Sequence, residues 1–391
     1  MKDYIFTSES VTEGHPDKIC DQIADAIVDA ALAQDPYSNM AVECTIKDDF
    51  VLIYGECNRS SNKIEINKTG TIIDSILLTH ELGHYTKAEL DYETIALNEI
   101  KRIGYTEEYH VHTVVNQQSP EIHNAVNRDE VCAGDQGIMF GYACDENDEY
   151  MPLTIYYAHL LARQLTKVRR QHPDLLKPDG KTQVSVEYEN DEIKRIDTIV
   201  VSTQHSKDIT QEEIKELIMN EVIKPCIDEK YLDENTKYFI NPSGSFVVGG
   251  SWGDSGTTGR KIVCDTYGGR GRIGGGCFSS KDPTKVDRSA AYYSRYVAKN
   301  IVANGLARRC EVEVAYAIGK AQPVSLCVDT FGTGKFDDEK LLEIVKKNFN
   351  FEVGNIISEL DLRKPVYHKT SCYGHFGDPQ FTWEKVKKLE Y

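Results

Sequence analysis

Long apolar runs are missing from this chain of 391 residues. No segment approaches the roughly 20 consecutive apolar residues of a membrane-spanning helix. The N-terminal string MKDYIFTSESVTEGHPDK also lacks the apolar stretch of a signal peptide. We therefore expect a cytoplasmic protein with no membrane partner.

Positive charge is also scarce. The chain has 45 Lys and Arg against 62 Asp and Glu, which gives a formal net charge of −17. Such an acidic protein repels the phosphate backbone, so general nucleic-acid binding is excluded. Apolar residues make up 40% and charged residues 27% of the chain, as in a globular protein, and its length predicts two or three domains.

The cysteines show no paired spacing along the sequence. The 11 cysteines are odd in number, scattered from Cys20 to Cys372, and include no C-x-x-C pair. Cys44 and Cys327 lie within predicted strands, where a thiol behaves as a small apolar side chain. This pattern indicates reduced, structural cysteines in a reducing compartment rather than a disulfide scaffold.

One order of elements occurs three times along the chain. Each copy consists of a helical pattern, two alternating strands joined by a tight turn, and a second helical pattern. The first helices are predicted at 16–34, 152–171 and 286–306, the hairpin strands at 42–47 and 50–56, 183–189 and 196–203, and 311–318 and 324–330, and the second helices at 93–103, 211–224 and 338–348.

The three copies begin 136 and 134 residues apart, from 152 − 16 and 286 − 152. Hairpins with helices on one side favour an α+β fold over a doubly wound parallel sheet. We predict three structurally similar units at 1–121, with an insertion at about 61–90, at 131–248 and at 250–391. The alternative is chance recurrence of a common order of elements, since the copies share little residue identity.

Glycine is concentrated between Gly249 and Gly276, which holds 11 of the 28 glycines. From Arg260 to Arg288, seven basic residues face three acidic ones, a local charge of +4. Glycine N–H groups and converging cations suit a polyphosphate, and Asp254 and Asp287 are candidate Mg²⁺ ligands beside it. The alternative is a solvated basic loop.

Two standard nucleotide motifs do not explain this segment. Gly269-x-Gly271-x-x-Gly274 matches the dinucleotide fingerprint, but further glycines follow it where a helix is required. A Walker A motif, G-x-x-x-x-G-K-[ST], does not occur in the sequence.

The string Thr12-Glu13-Gly14-His15-Pro16-Asp17-Lys18 leads into the first helix. Pro16 suits the first helical position, so His15 falls near the N-cap, where free N–H groups attract phosphate. Asp17 in the first turn either binds a metal ion or interacts only with the helix dipole.

A separate motif, at 80–84, is typical of zinc peptidases. His80-Glu81-Leu82-Gly83-His84 is a literal H-E-x-x-H, which in zinc peptidases places two ligands and a base on one helix. Lys87 and Leu90 stand where the metzincin pattern requires Gly and His. We interpret the motif as a helix with histidines beside its buried stripe, and a zinc peptidase using His80, Glu81 and His84 remains the alternative function.

Five strings together resemble the S-adenosylmethionine synthetases, in the order that this family has: FTSESVTEGHPDK, AGDQGIMFGYA, KPDGKTQVSVEY, GGGCFSSKDPTKVDRSAAY and YGHFG. The resemblance covers about 3–60 and 91–388. It implies three similar α+β units around a pseudo-threefold axis, in homodimers or homotetramers with shared active sites. The implied reaction joins ATP and L-methionine with two Mg²⁺ and a K⁺, and the displaced triphosphate is cleaved to pyrophosphate and phosphate.

The resemblance also implies roles for individual residues. Those facing the triphosphate are His15, Lys181, Arg260, Lys261 and Lys281, and those contacting the rest of ATP are Asp179, Phe246, Asp254 and Cys277. Methionine contacts are Glu56, Gln118, Asp135, Asp254 and Lys285, Mg²⁺ ligands are Asp17 and Asp287, and the K⁺ ligand is Glu43. The stretch after Gln118, to about Glu130, resembles the loop that gates the site.

The sequence departs from the family pattern at several places. Ser245 replaces a basic residue, Cys277 replaces a small Ala, and the gating loop is a few residues short. The H-E-x-x-H motif falls inside the insertion at 61–90. An inactive regulatory relative is the remaining alternative, although His15, Asp17, Lys181, Lys281 and Asp287 are all present.

Overall fold

The computed structural model describes residues 3–58, 90–119 and 130–391. Its longer helices are α1 (Pro16–Gln34), α2 (Tyr92–Ile103), α3 (Leu153–Gln171), α4 (Gln211–Leu217), α5 (Val286–Ala303), α6 (Asp338–Asn348) and α7 (Val353–Glu359). A π-helical turn at Ile218–Ile223 and a short helix at Lys224–Cys226 extend α4. Single α-helical turns lie at Gly250–Gly253 and Ile262–Asp265, and 3₁₀ turns at Glu229–Tyr231, His368–Thr370 and Thr382–Glu384.

The strands form three sheets. They are β1 (Tyr4–Val11), β2 (Asn39–Lys47), β3 (Phe50–Asn58), β4 (His110–Gln117), β5 (Gly137–Cys144), β6 (Leu176–Glu189), β7 (Glu192–His205), β8 (Lys237–Ile240), β9 (Gly256–Thr257), β10 (Arg309–Tyr316) and β11 (Ser325–Asp329). The sheet orders are β4-β3-β2-β9, β1-β6-β7-β8 and β11-β10-β5. The chain is therefore a mixed helix and sheet protein, and each of the three predicted hairpins lies in its own sheet.

The predicted helices are confirmed where local signals were strong. In α1, Ile19, Ile23 and Ile27 are fully buried, Pro16 occupies the first helical position, and the helix ends before Asp35-Pro36. The helix predicted to end at 306 instead ends at Ala303, because Gly305 takes a left-handed conformation with φ of 68°.

The second hairpin is longer than predicted. Asn190 and Asp191 both have positive φ, 55° and 65°, as the tight turn between two right-twisted strands requires. However, β6 begins at Leu176, because the segment 177–180 continues the strand across a shift in register between Leu176 and Gly180. A bulge of this kind admits Pro178 and Gly180, which otherwise indicate a turn.

Strands are exchanged between the units in a cyclic order. Strand β1 precedes α1 but pairs with β6 of the second hairpin, and β5 precedes α3 but pairs with β10 of the third. Strand β9 precedes α5 and pairs with β2 of the first hairpin. The exchange places the start of α1 beside both β6 and the glycine-rich segment.

The three long helices pack against the sheets and fill the interior. Helix α1 lies on β2, α3 lies on β6 and β1, and α5 lies on β5 and β10.

All 11 cysteines are free thiols. Among residues 3–58, 90–119 and 130–391, no helix combines the length and apolar character needed to cross a bilayer.

Candidate active site

The N-terminal motif is held against the bulge of β6. Thr12 donates its N–H to the carbonyl of Gly180 at 2.9 Å and its hydroxyl to the carbonyl of Pro178 at 2.7 Å. A Cβ atom on Gly14 would lie 2.3 Å from the carbonyl carbon of Pro178, so only glycine permits this approach. These contacts bring Asp179 and Lys181 next to the start of α1.

His15 is the N-cap of α1, and its Nδ1 accepts the N–H of Asp17 at 3.2 Å. Burial, together with the charges of Lys261 and Lys181, lowers the pKa of His15 to about 3. The ring is therefore neutral at physiological pH, and with Nδ1 acting as an acceptor its proton lies on Nε2. His15 thus offers a neutral N–H donor at a helix N-terminus.

Asp17 joins α1 to the glycine-rich segment. It is 1% exposed, and its two carboxylate oxygens accept the Thr257 N–H at 3.0 Å and the Lys261 Nζ at 2.5 Å. Burial opposes ionisation, but the hydrogen bonds from Lys261 and Thr257 outweigh it and hold the pKa of Asp17 below its usual value. Arg260 Nε lies 3.7 Å from the same carboxylate, so two predicted phosphate cations converge on one anion.

A second carboxylate and cation face each other at the start of α5. Lys281 Nζ lies 2.6 Å from Oδ2 of Asp287, in the first turn of that helix. A Cβ atom on Gly276 would lie 2.3 Å from Cγ of Asp287, so the glycine run is packed directly on this carboxylate. Cys277 packs against Gly259: a Cβ atom added to Gly259 would lie 2.3 Å from the Cβ atom of Cys277.

The predicted methionine contact Lys285 has a different partner in this structure. Its Nζ donates to Asp282 at 2.8 Å, and both side chains are buried. Asp282 in turn accepts the Met40 N–H at 2.7 Å, which ties the glycine-rich segment to β2. The predicted role of Lys285 toward methionine remains a prediction.

The predicted nucleotide contacts lie on β6 and the loop that follows β8. Asp179 is buried and accepts the Gly250 N–H at 2.8 Å, and burial raises the pKa of Asp179 to about 6. Phe246 is half-buried and exchanges hydrogen bonds with His205 at 2.9 and 3.0 Å. Asp254 and Ser245 are exposed nearby in the same loop.

Two predicted site residues lie on the outer face of the sheet β4-β3-β2-β9. Glu43 on β2 is paired in register with Tyr54 on β3, whose hydroxyl donates to the Glu43 carboxylate at 3.2 Å. Burial and the Glu43 charge raise the pKa of Tyr54 to about 12, so this hydroxyl remains a donor. Glu56, two residues further along β3, is exposed on the same face.

The remaining methionine candidates differ in exposure. Gln118 is 3% exposed, and its buried Oε1 has no hydrogen-bond partner in the part of the chain that the structure describes. Asp135 is exposed, and its carboxylate accepts the N–H of Gln136 at 2.7 Å. Residues 120–129 of the predicted gating loop lie outside the described residues, as do His80, Glu81 and His84.

The carboxylates of Asp17 and Asp287 fit Mg²⁺ by their chemistry. Both are hard oxygen donors in the first turn of a helix, and both already face a cation. Across the described ranges, no three His, Cys, Asp or Glu side chains gather into a complete metal site. This donor set suits an ion that keeps most of its ligands from phosphate and water, as Mg²⁺ commonly does.

Several buried charged residues around this site were not predicted. They form two fully buried ion pairs: Lys18 with Asp21 at 2.9 Å, and Arg288 with Asp25 at 2.7 Å. The signal was present in the sequence, since Asp17, Asp21 and Asp25 recur every four residues on a helix with apolar residues between them.

Comparisons with known proteins agree with this architecture. The chain matches the models of the S-adenosylmethionine synthetase N-terminal domain over 3–129, central domain over 130–246 and C-terminal domain over 248–385. It is 49% identical over 409 residues to the S-adenosylmethionine synthase of Clostridium tetani (strain Massachusetts / E88), an alignment that covers 99% of this chain and 98% of that protein. It is 48% identical over 402 residues to the S-adenosylmethionine synthase of Sorangium cellulosum (strain So ce56), covering 99% and 89%. The chain therefore belongs to the S-adenosylmethionine synthetase family.

Proposed function

We propose that this site joins ATP and L-methionine into S-adenosylmethionine. One observation carries the proposal: along a chain that matches the family over its whole length, His15, Asp17 and Lys261 converge at the N-terminus of α1. A neutral donor, a carboxylate and cations at a helix N-terminus suit a polyphosphate rather than a neutral leaving group.

The chemistry is a displacement at carbon. A lone pair of the methionine sulfur forms the bond to C5′ of ATP, the C5′–O bond breaks, and its electron pair leaves on the triphosphate oxygen. The product sulfonium is positive, and the triphosphate gains one negative charge. Water then cleaves the triphosphate to pyrophosphate and phosphate. The sulfur needs no base, so catalysis rests on alignment and on stabilising the charge of the leaving group.

His15 is suited to the leaving oxygen. Because its Nδ1 accepts the Asp17 N–H, its Nε2–H is the group that donates to a triphosphate oxygen. Burial and the charges of Lys261 and Lys181 lower the pKa of His15 to about 3, so the ring meets the incoming substrate as a neutral donor. Lys181, Arg260, Lys261 and Lys281 supply the positive charge around the same group.

We assign Mg²⁺ binding to Asp17 and Asp287 and K⁺ binding to Glu43. When bound, these ions supply further positive charge to the phosphate oxygens and to the site around them. The location of the two carboxylates supports the assignment, because each lies in the first turn of a helix beside a cation that we assign to the phosphates, Asp17 beside Lys261 and Asp287 beside Lys281.

The substrates' other groups are assigned to the surrounding residues. Adenine and ribose are assigned to Phe246, Asp179 and Asp254, with Cys277 contacting the nucleotide through its backbone. The methionine contacts are assigned to Glu56, Gln118, Asp135, Asp254 and Lys285, and the gating loop to the stretch after Gln118, to about Glu130. Ser245 provides no cation at its position, so no charged contact to ATP is assigned there.

We infer an assembly of two or four identical subunits with shared active sites. The outer face of the sheet β4-β3-β2-β9 carries Glu43 and Glu56 together with Phe50 and Val114, which are 43% and 56% exposed. A second subunit on this face buries the apolar side chains and encloses the two carboxylates.

The finer architecture is also a proposal. We infer that units 1–121, 131–248 and 250–391 are related by a pseudo-threefold axis, which the cyclic exchange of β1, β5 and β9 supports. We place the enzyme in the cytoplasm, where the 11 free thiols remain reduced.

Product analysis tests the function. The purified protein is incubated with ATP, L-methionine, Mg²⁺ and K⁺, and S-adenosylmethionine, pyrophosphate and phosphate are quantified. We expect the three products in equal amounts and only when methionine is present. Failure to form S-adenosylmethionine with both metal ions present overturns the proposal, and binding of ATP without turnover indicates a regulatory relative instead.

A further inference from the structure

Helix α1 carries an aspartate row that its catalytic motif does not explain. Asp17, Asp21, Asp25 and Asp29 recur every four residues. Four residues advance a helix by about 6 Å and little more than one turn, so these side chains lie along one face. The first three are at most 1% exposed. Buried carboxylates are costly unless they are paired, so each must have a specific partner.

Each member of the row accepts backbone N–H groups from the C-terminal third of the chain, and the order of partners follows the order of the row. The donors are Thr257 to Asp17 at 3.0 Å, Gly259 to Asp21 at 2.8 Å, Ser280 to Asp25 at 3.1 Å, and Tyr367 and His368 to Asp29 at 2.9 Å each. The row therefore holds distant peptides at fixed heights along α1.

The two central anchors hold the peptides that directly precede the predicted phosphate cations. Gly259 precedes Arg260-Lys261, and Ser280 precedes Lys281. Both anchored residues have left-handed backbones, with φ of 79° at Gly259 and 83° at Ser280. This conformation is unfavourable for serine and persists only where the surroundings impose it. Asp25 contacts this turn a second time, since it also accepts the Ser279 hydroxyl at 2.9 Å.

Each of the two anchors also faces a buried cation on its other side. Lys18 Nζ lies 2.9 Å from Asp21, and the Arg288 guanidinium makes two bonds of 2.7 Å to Asp25. Each carboxylate therefore bridges a buried cation and a backbone N–H. Their remaining interaction is with the peptides that carry the cations.

We propose that Asp21 and Asp25 are positioning residues, which fix the loops bearing Arg260, Lys261 and Lys281 against α1 so that these cations meet the triphosphate. The inference rests on the proposed function of the site. Neither aspartate touches substrate; each acts through one backbone turn. A misplacement of about 1 Å remote from the chemistry can lower a rate about 100-fold, so the loss of one anchor is expected to affect turnover.

The chain offers a matched control for this test. Asp29 belongs to the same row and accepts two backbone N–H groups, but its partners Tyr367 and His368 precede none of the predicted phosphate cations. We compare Asp21→Asn, Asp25→Asn and Asp29→Asn in the full chain, each assayed well below its own unfolding temperature. The readouts are kcat for S-adenosylmethionine formation, KM for methionine, and calorimetric affinity for inorganic tripolyphosphate.

We expect Asp21→Asn and Asp25→Asn to lower kcat by about 10- to 100-fold. We also expect at least a roughly tenfold loss of tripolyphosphate affinity with KM for methionine little changed, since the anchored loops carry phosphate cations. Asp29→Asn should keep kcat within about twofold. Ser280→Gly, which adopts the left-handed turn without strain, should restore part of the kcat lost in Asp25→Asn. A role in stability alone predicts no such rescue.

Unchanged kcat and tripolyphosphate affinity in both central variants would overturn the proposal, as would an equal loss in Asp29→Asn. Should a variant not fold, hydrogen exchange of the wild-type protein decides. The amides of Gly259 and Ser280 are expected to exchange slowly although they lie in loops, and rapid exchange contradicts the anchoring. If the wild type forms no S-adenosylmethionine, the proposed function fails, but tripolyphosphate affinity and hydrogen exchange still test the anchors.

Discussion

Replacing Lys261 by methionine is expected to slow S-adenosylmethionine formation strongly. Methionine keeps most of the side chain's length and apolar stem but removes its charge. Lys261 Nζ lies 2.5 Å from Asp17 and its side chain is 17% exposed, so the charge sits in a partly desolvated position at the helix N-terminus. The variant leaves the carboxylate of Asp17 facing the triphosphate without its closest cation.

The size of the effect follows from the burial of this charge. Two unit charges about 4 Å apart interact by about 1 kcal/mol in water and by about 4 kcal/mol at an effective dielectric constant near 20. Lys261 is screened by solvent only in part, and it shares its charge with Asp17. We therefore expect a loss of about 2–3 kcal/mol in transition-state stabilisation, which lowers kcat by about 30- to 150-fold.

Steady-state kinetics with ATP and methionine varied separately measure this prediction. KM for methionine should change little, because Lys261 is assigned to the triphosphate and not to methionine. Lys346→Met, an exposed lysine on α6, is the control and should keep kcat within about twofold. A Lys261→Met enzyme with kcat near the wild-type value would refute the assignment of this cation to the leaving group.

Three further predictions concern Asp179, Lys18 and Gly276. Burial raises the pKa of Asp179 in the folded state to about 6, above its unfolded value of about 3.9. The contribution of this residue to stability is therefore present at low pH and is lost as the pH rises from about 4 to 6. Urea unfolding at both ends of this range should show Asp179→Asn gaining stability relative to wild type as pH rises, and a constant difference contradicts this. Lys18→Met leaves the carboxylates of Asp21 and Asp265 buried without their shared cation. In the same assay it should lower the free energy of unfolding by about 3–5 kcal/mol. A loss below about 1 kcal/mol contradicts this pairing. Gly276→Ala puts a methyl group 2.3 Å from Cγ of Asp287, so kcat and apparent Mg²⁺ affinity should both fall, and unchanged values exclude Asp287 as a ligand.

The elements that the sequence predicted correctly depend on local interactions. The isoleucine spacing of α1 and the Asn190-Asp191 turn are each determined within a few residues, and both are confirmed. The same holds for His15 at the N-cap, because Pro16 fixes the first helical position.

The elements that it missed depend on partners far along the chain. Strand β1 was not predicted because its pairing partner, β6, lies in another unit: Thr7 contacts Ser185, 178 residues away. Strand β9 has only two residues, and no alternating pattern can identify a strand of that length. Pairing with a distant strand therefore stabilised segments whose own patterns are weak.

The candidate site divides in the same way. Glycine content and local charge predicted that the segment after Gly249 binds phosphate, but they gave no partner for any cation. The contact of Lys261 with Asp17 spans 244 residues, and only the resemblance to a family suggested that the two share a site. The aspartate row of α1 was visible as a four-residue spacing, yet the spacing alone does not show that its partners are backbone N–H groups.

The fate of the bridging oxygen tests the central claim most directly. ATP labelled with ¹⁸O between C5′ and the α-phosphorus is converted with methionine, and the products are examined by mass spectrometry. Attack of sulfur on C5′ predicts that all of the label leaves with the triphosphate and appears in pyrophosphate or phosphate. Label retained on a nucleoside or nucleotide product shows cleavage at phosphorus instead, and contradicts the proposed reaction.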